Sequence, residues 1–561
     1  MSAYPLPLST PSEGNAPHRA PSLPPVQGLA FPRSPSRLSL ALLIAAILLL
    51  SFLFQWPANQ AADWKLYTLY DPGTILKGDL LLAKGYIPTV DFGYTHGLIP
   101  LLYGRVGFAL FGRTPWTFLG LTFLTELAMA WALARILIAT GLAASRASLA
   151  FVLIGLPTAI MPAYLTLTHP LEAMLILLAF ASQAEGNKPR SLLLMTVCLF
   201  VKPSMAYVYG LVLLLLIAWE HRKRPSRILG ELLPAATALL VLLALLGARF
   251  GLSPVIHTLL PLTGAKTYAS TNFGFFKESG RNFWLLPPAA WWQYLFAPPG
   301  IFLIAALACA LGAFLGAARL LMRPANLHPA PLPLRQRAWE LLFTIGALHT
   351  AFLAGFYGWT GSWTYYSYMP VLGLALFTLL MLRPRARRLL AFWTLAALML
   401  LSHLFLVGFT THAWLNKSPR GDGPGAAPGL WRYPSEFADW KAVTHAVGNR
   451  PTLIMTNGFL FDLPPTMEMP DAWFPEPGIP TPSEIARVQW QVDHVDFVVL
   501  VNEYGEDAHH QHPDLRLWAF PQFAPQRAEF QPFQHNEIFT ILQRTAPAAP
   551  TSRPPTSKQS P

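Results

Sequence analysis

Along most of its length the chain alternates apolar runs of 15 to 29 residues with short polar connectors. The first run is 38–56. Others follow at about 98–112, 116–139, 147–163, 170–184, 191–219, 230–249, 299–321, 338–356, 368–382 and 389–411. A helix needs about 20 apolar residues to cross a hydrocarbon core of about 30 Å. The pattern therefore predicts a mainly α, polytopic membrane bundle of about 11 to 13 transmembrane helices. Run 191–219 is interrupted by Lys202-Pro203, and a proline removes a backbone donor and bends or breaks a helix. Either one tilted helix or two short crossings fit it. In the second case segment 186–190 moves inside and the loop around His169 outside, provided an upstream segment fails to span.

The polar stretches complete the plan. Residues 1–37, rich in Pro and Ser, read as a disordered cytoplasmic tail. Residues 38–411 form the transmembrane part, with outer loops at 57–97 and 250–298. A Gly/Pro-rich linker, 412–429, leads to a small extracytoplasmic α/β domain at 430–545, where Phe437–Val447 has helical spacing and Thr452–Thr456 and Phe497–Val501 read as strands. Residues 546–561 are disordered by composition.

Composition supports this plan. Of 561 residues, 53% are hydrophobic and only 12% charged, against about 25% charged in a soluble globular chain. The net charge of +12 raises nucleic acid as a partner. The basic residues, however, fall in short tracts between apolar runs: Arg19, Arg33 and Arg37; Arg222, Lys223, Arg224 and Arg227; Arg323, Arg335 and Arg337; Arg383, Arg385, Arg387 and Arg388. Such tracts mark cytoplasmic loops, so no nucleic acid is expected. They predict a multi-pass protein of the cell (inner) membrane, N-terminus cytoplasmic and C-terminal domain outside. Two cysteines, Cys198 and Cys309, both within apolar runs, offer neither a disulfide framework nor a thiolate metal site.

Chemistry concentrates in the first outer loop. Ile75, Leu76, Leu80 and Ala83 recur at helical spacing with Lys77, Asp79 and Lys84 between them, as in a helix lying at the membrane interface. Asp71 stands at its start, and Asp followed by Pro is in itself a helix-start signal. The order Asp71-Pro72-Gly73, Gly85-Tyr86, Asp91-Phe92, His96-Gly97-Leu98 resembles the first loop of the GT-C superfamily of membrane glycosyltransferases, particularly bacterial relatives of protein mannosyltransferases. Pro72 stands where that pattern usually has an acidic residue, and Gly97-Leu98 replaces a Gly-Pro step. "VCLFVKPSMAYV" and "DHVDFVVLVN" resemble, more weakly, the superfamily's Lys-Pro element and its outer α/β appendage.

The resemblance implies inverting transfer of a sugar from a polyprenyl-phosphate donor to an extracytoplasmic glycan, lipid or protein. Asp71 would be the base, with Asp91 a second catalytic candidate. A divalent cation, Mg or Mn, could bind at Asp71, since hard cations prefer oxygen ligands. Lys84, Lys202, Lys277 and Arg281 are the candidate donor-phosphate ligands, and His96, His169 and Glu172 possible auxiliaries. Lys77 and Lys84 could equally snorkel from an interfacial helix, and Asp91 could be a turn residue. Arg105 and Glu126 are positioned to form a structural ion pair between neighbouring helices.

A transporter or lipid flippase would also explain the helix count and buried charges, but predicts internal repeats, and none is evident. A non-catalytic GT-C-like scaffold is the third reading.

Overall fold

A computed structural model of the chain describes residues 71–94, 96–139, 167–260, 434–455, 463–473, 481–501, 521–536 and 539–545. They are mostly helical, with one small sheet. In the helical part, α1 (Asp71–Ala83) is followed by α2 (Leu98–Phe111) and α3 (Pro115–Ala139). Then come α4 (Thr168–Ala184), α5 (Lys188–Leu199), α6 (Pro203–Glu220), α7 (Pro225–Phe250) and α8 (Leu252–Leu259). Among the described residues, α7 is long and apolar enough to cross a membrane, while Pro170–Gln183 and Ala206–Ala218 are shorter apolar stretches.

The interrupted run is not one tilted helix. α5 and α6 form a hairpin whose apex is Phe200–Lys202, where Pro203 opens α6 at its first position and Lys202 is its N-cap. The far ends meet again, with Lys188 Nζ 3.4 Å from His221 Nε2. α4 and α5 form a second hairpin through the turn at Glu185–Asn187, where the Asn187 amide donates to the Ser182 carbonyl at 2.8 Å. The Asn187 side chain then caps α5. Arg135, near the end of α3, grips the Glu185 carboxylate with two donors, so α3 and α4 finish at the same end of the bundle.

α2 fills the apolar run expected at 98–112. Its 14 residues extend about 21 Å, and it packs along α1. Ile75 lies against Gly104 and Gly78 against Leu101, which makes α1 and α2 antiparallel. Glycine at 78 and 104 permits this approach, because a Cβ at either position would strike the facing side chain.

The interfacial helix expected at 71–84 forms, but its polar face is covered. Lys77 and Asp79 are both about 1% exposed, so Lys77 does not snorkel. Asp79 receives Arg105 at 3.0 Å and also Arg113. Arg105 therefore pairs with Asp79 on the neighbouring α1, while the side chain of Glu126, its expected partner, lies outside the described residues.

The C-terminal part is an α/β unit. Its strands β1 (Thr452–Met455), β2 (Met467–Glu468), β3 (Phe497–Val501), β4 (Phe530–His535) and β5 (Phe539–Arg544) form a sheet of order β2-β1-β3-β5-β4. β1 is parallel to β2 and β3, and β5 is antiparallel to β3 and β4. The uninterrupted apolar sequence of β3 suits a central strand covered on both faces. Val498 and Leu500 point toward α10 (Pro482–Asp493), packing with Val488 and Val492. Phe497 and Val499 point the other way, toward Trp440 and Val443 of α9 (Pro434–Val447). Thr481 and Glu484 close α10 with a reciprocal capping box, which satisfies two otherwise orphaned backbone donors.

Candidate functional site

Three segments converge on the hairpin apex. The first outer loop ends there: the Gly97 amide donates to the Val201 carbonyl and the Ile99 amide to the Phe200 carbonyl, each at 3.0 Å. A Cβ on Gly97 would collide with the Phe200 carbonyl, so this junction requires glycine. α4 supplies the second segment, with the Cys198 thiol 4.0 Å from the Glu172 carbonyl. The apex itself supplies Lys202.

The result is an enclosed group of ionisable side chains. Lys202 interacts electrostatically with Glu172, Cys198 and His96. Burial, reinforced by the Lys202 charge, pushes the His96 imidazole down to about 3, so it is neutral at physiological pH. Lys202 has a second attribute. As N-cap of α6 it brings its charge to the positive end of a helix whose first turn has no side-chain cap, an arrangement that favours an anion. The Glu172 carboxylate, 2% exposed, lies beside it. Phosphate binding and acceptance of a proton are the chemistry such a site can supply.

The C-terminal unit closes over the same loop. Lys84 forms an ion pair with Asp471, and the Tyr86 hydroxyl donates to the other Asp471 oxygen at 3.3 Å. Arg487 stacks over the Tyr86 ring, 4.0 Å from its centroid, and donates to the carbonyls of Asp91 and Asp471. Glu484 accepts from the amides of Thr481 at 2.7 Å, Trp473 at 2.8 Å and Gly93 at 2.8 Å. Trp473 packs edge-on against Tyr94 and His96, with centroids 4.9 and 6.2 Å apart.

The candidates from sequence divide accordingly. Lys202, Glu172 and His96 come together. Lys84 is held by Asp471 at the edge of the same loop. Asp91 is a turn residue here: its carboxylate accepts from the Ile87 amide at 2.7 Å, while its carbonyl takes Arg487 and the Thr481 hydroxyl. Asp71 opens α1. Because α1 runs antiparallel to α2, the Asp71 end leads away from the apex, about 10 Å along the helix from Gly78. His169 lies in the first turn of α4. Lys277 and Arg281 lie outside the described residues.

The side chain of Asp71, the expected ligand of a divalent cation, lies outside the described residues. Among the described residues no cluster of three or more His, Cys, Asp or Glu side chains is placed to hold a metal ion. Sequence reasoning did not find Trp473, Glu484 and Arg487. Their only sequence signal was the Thr481-Pro482-x-Glu484 helix start, which speaks of capping and not of a distant loop.

No protein-family model matches the chain, and no curated protein does. Among solved structures it is similar to ArnT from Cupriavidus metallidurans bound to undecaprenyl phosphate, with 14% identity over 91% of this chain and 99% of that one, at a TM-score of 0.40. The apo state of the same protein gives 14% identity, 90% and 97% coverage and a TM-score of 0.39. Arabinofuranosyltransferase AftD from Mycobacteria gives 16% identity over 92% of this chain and 40% of that chain, at a TM-score of 0.40. At these identities and TM-scores neither neighbour's activity carries over to this chain.

Proposed function

We propose that this protein is an integral-membrane glycosyltransferase of the GT-C type, which transfers a sugar from a polyprenyl-phosphate donor to an extracytoplasmic glycan, lipid or protein acceptor. The observation that carries the reading is Lys202 at the uncapped start of α6, enclosed with Glu172 and His96 against the end of the first outer loop.

In this reading the acceptor hydroxyl attacks the anomeric carbon as the bond from that carbon to the donor phosphate breaks, with inversion. The proton goes to a carboxylate and the bonding pair leaves with the lipid phosphate. That phosphate gains a negative charge, which the Lys202 ammonium and the α6 dipole offset without a general acid. Lys84, released from Asp471, would supply a second cation. The first-loop resemblance assigns the base to Asp71. A second reading, Glu172 as base, is favoured by its place beside Lys202.

The hairpins also support a topology. With α2 lying along α1 and the run 191–219 turning back on itself, segment 186–190 faces inward and the His169 end of α4 outward. One crossing is lost and one gained, so the expected cytoplasmic N-terminus and external C-terminal unit are kept.

The test is release of sugar from polyprenyl-phosphate sugars by the purified full-length protein. Wild type should turn over a donor and Lys202→Met should not. Asp71→Asn and Glu172→Gln separate the two bases, as only loss of the true base abolishes transfer while donor binding survives. A wild-type protein that cleaves no such donor, or an active Lys202→Met variant, overturns the reading.

A further inference from the structure

Glu484 and Arg487 lie on one face of α10, at positions three apart, and both are buried. Each makes bonds within its own unit, Glu484 to the amides of Thr481 and Trp473 and Arg487 to the Asp471 carbonyl, and each also reaches out to the first outer loop. Glu484 is fully buried, and one of its oxygens divides between the Thr481 amide of its own cap and the Gly93 amide of the loop. Arg487 bridges two carbonyls, Asp471 in its own unit and Asp91 in the loop, while stacking on Tyr86. The loop is thus held by its backbone at Asp91 and Gly93. Within four residues it reaches His96 and then Gly97, which is bonded to the Lys202 apex.

We infer that Glu484 and Arg487 are positioning residues for sugar transfer: by holding the backbone of Asp91 and Gly93, they fix the end of the first loop against the Lys202 apex. The inference rests on the proposed glycosyltransferase reading. Bonds to backbone make the clamp insensitive to the loop's side chains, and a charged or fully buried partner makes each bond strong. Loss of the clamp leaves both the domain and the apex in place but frees the segment between them.

The experiment uses the full-length protein in lipid nanodiscs, with Glu484→Gln, Arg487→Lys and Arg487→Ala. Arg487→Lys keeps the charge near Tyr86 but cannot bridge two carbonyls with a planar fork. Hydrogen exchange is followed in the peptide containing Asp91 and Gly93 and, as a control for folding, in strand β3. Donor cleavage is measured in parallel. In all three variants loop exchange should rise about tenfold or more while β3 stays protected. In Glu484→Gln and Arg487→Ala the turnover number should fall about 100-fold, with the donor KM changed by less than about threefold, as for a misplaced but still assembled site. Arg487→Lys should fall between wild type and Arg487→Ala.

Unchanged loop exchange overturns the clamp. A freed loop with unchanged turnover overturns its role in positioning, as does a loss seen only in KM. A wild-type protein that turns over no donor fails the glycosyltransferase reading and this role with it. The exchange measurement recognises that case, since it needs no donor. Should Glu484→Gln lose β3 protection, Arg487→Lys decides the matter.

Discussion

The amide of Gly97 donates to the Val201 carbonyl at 3.0 Å, joining the end of the first outer loop to the apex of the α5–α6 hairpin. The backbones approach so closely that only a residue without a side chain fits. Gly97→Ala should therefore separate the loop from the apex and cost about 1 to 3 kcal/mol of stability, the usual penalty of overpacking. A lowered thermal midpoint together with lost donor cleavage is the expected result, and a stable, active Gly97→Ala variant would show that the junction is dispensable.

The Asp79 carboxylate, about 1% exposed, is shared by Arg105 and Arg113. Removing both arginines would strand that buried carboxylate without compensation, so the Arg105→Met, Arg113→Met double variant should cost about 3 kcal/mol. Both arginines reach solvent, so Asp79→Ala leaves no buried charge behind and, like Arg105→Met alone, should cost under about 1 kcal/mol. Thermal unfolding of the detergent-solubilised variants would show whether this asymmetry exists.

His96 makes stability depend on pH. In the unfolded chain its imidazole protonates near 6.5, whereas in the fold burial and Lys202 hold it down to about 3. Between those values the unfolded chain binds more protons, so its share of stability is complete above about pH 6.5 and falls as pH drops toward 3. His96→Gln, which cannot protonate, should flatten this acid loss in a pH series of melting curves. An unaltered acid profile would place the imidazole in water.

The hairpin topology can be read by thiol labelling. In a Cys198→Ala, Cys309→Ala background, Gly186→Cys should react with a membrane-impermeant reagent only after the membrane is opened. A single tilted 191–219 helix predicts instead that the same site is labelled from outside in intact cells.

How much of this was legible beforehand varies by element. The helix at Asp71–Ala83, the Lys202-Pro203 break, and the helix and strands around Trp440, Thr452 and Phe497 all follow from local pattern. Proline geometry, helical spacing and β-branched runs act over a few residues, and those residues carry the signal themselves. Lys202 stood out because an ionisable group within an apolar run is costly wherever it goes. By contrast, the packing of α2 along α1 left no trace in the sequence, because an apolar helix buried against another helix and one buried in lipid need the same composition.

The sequence by itself determined an apolar, multi-helical chain with basic tracts between its apolar runs, a first loop rich in candidate groups, and a small α/β unit near its end. Only the tertiary structure decided that the Lys202 break is a hairpin apex, that Glu172 and His96 share it, and that Asp79 binds Arg105. It also decided that Asp471, Glu484 and Arg487 reach back nearly 400 residues to hold the first loop. Local periodicity encodes helices and strands through neighbours, but it carries no record of which distant carbonyl a guanidinium will meet. That choice is made when packing brings two backbones close enough to exclude water, and each buried donor must then find its acceptor.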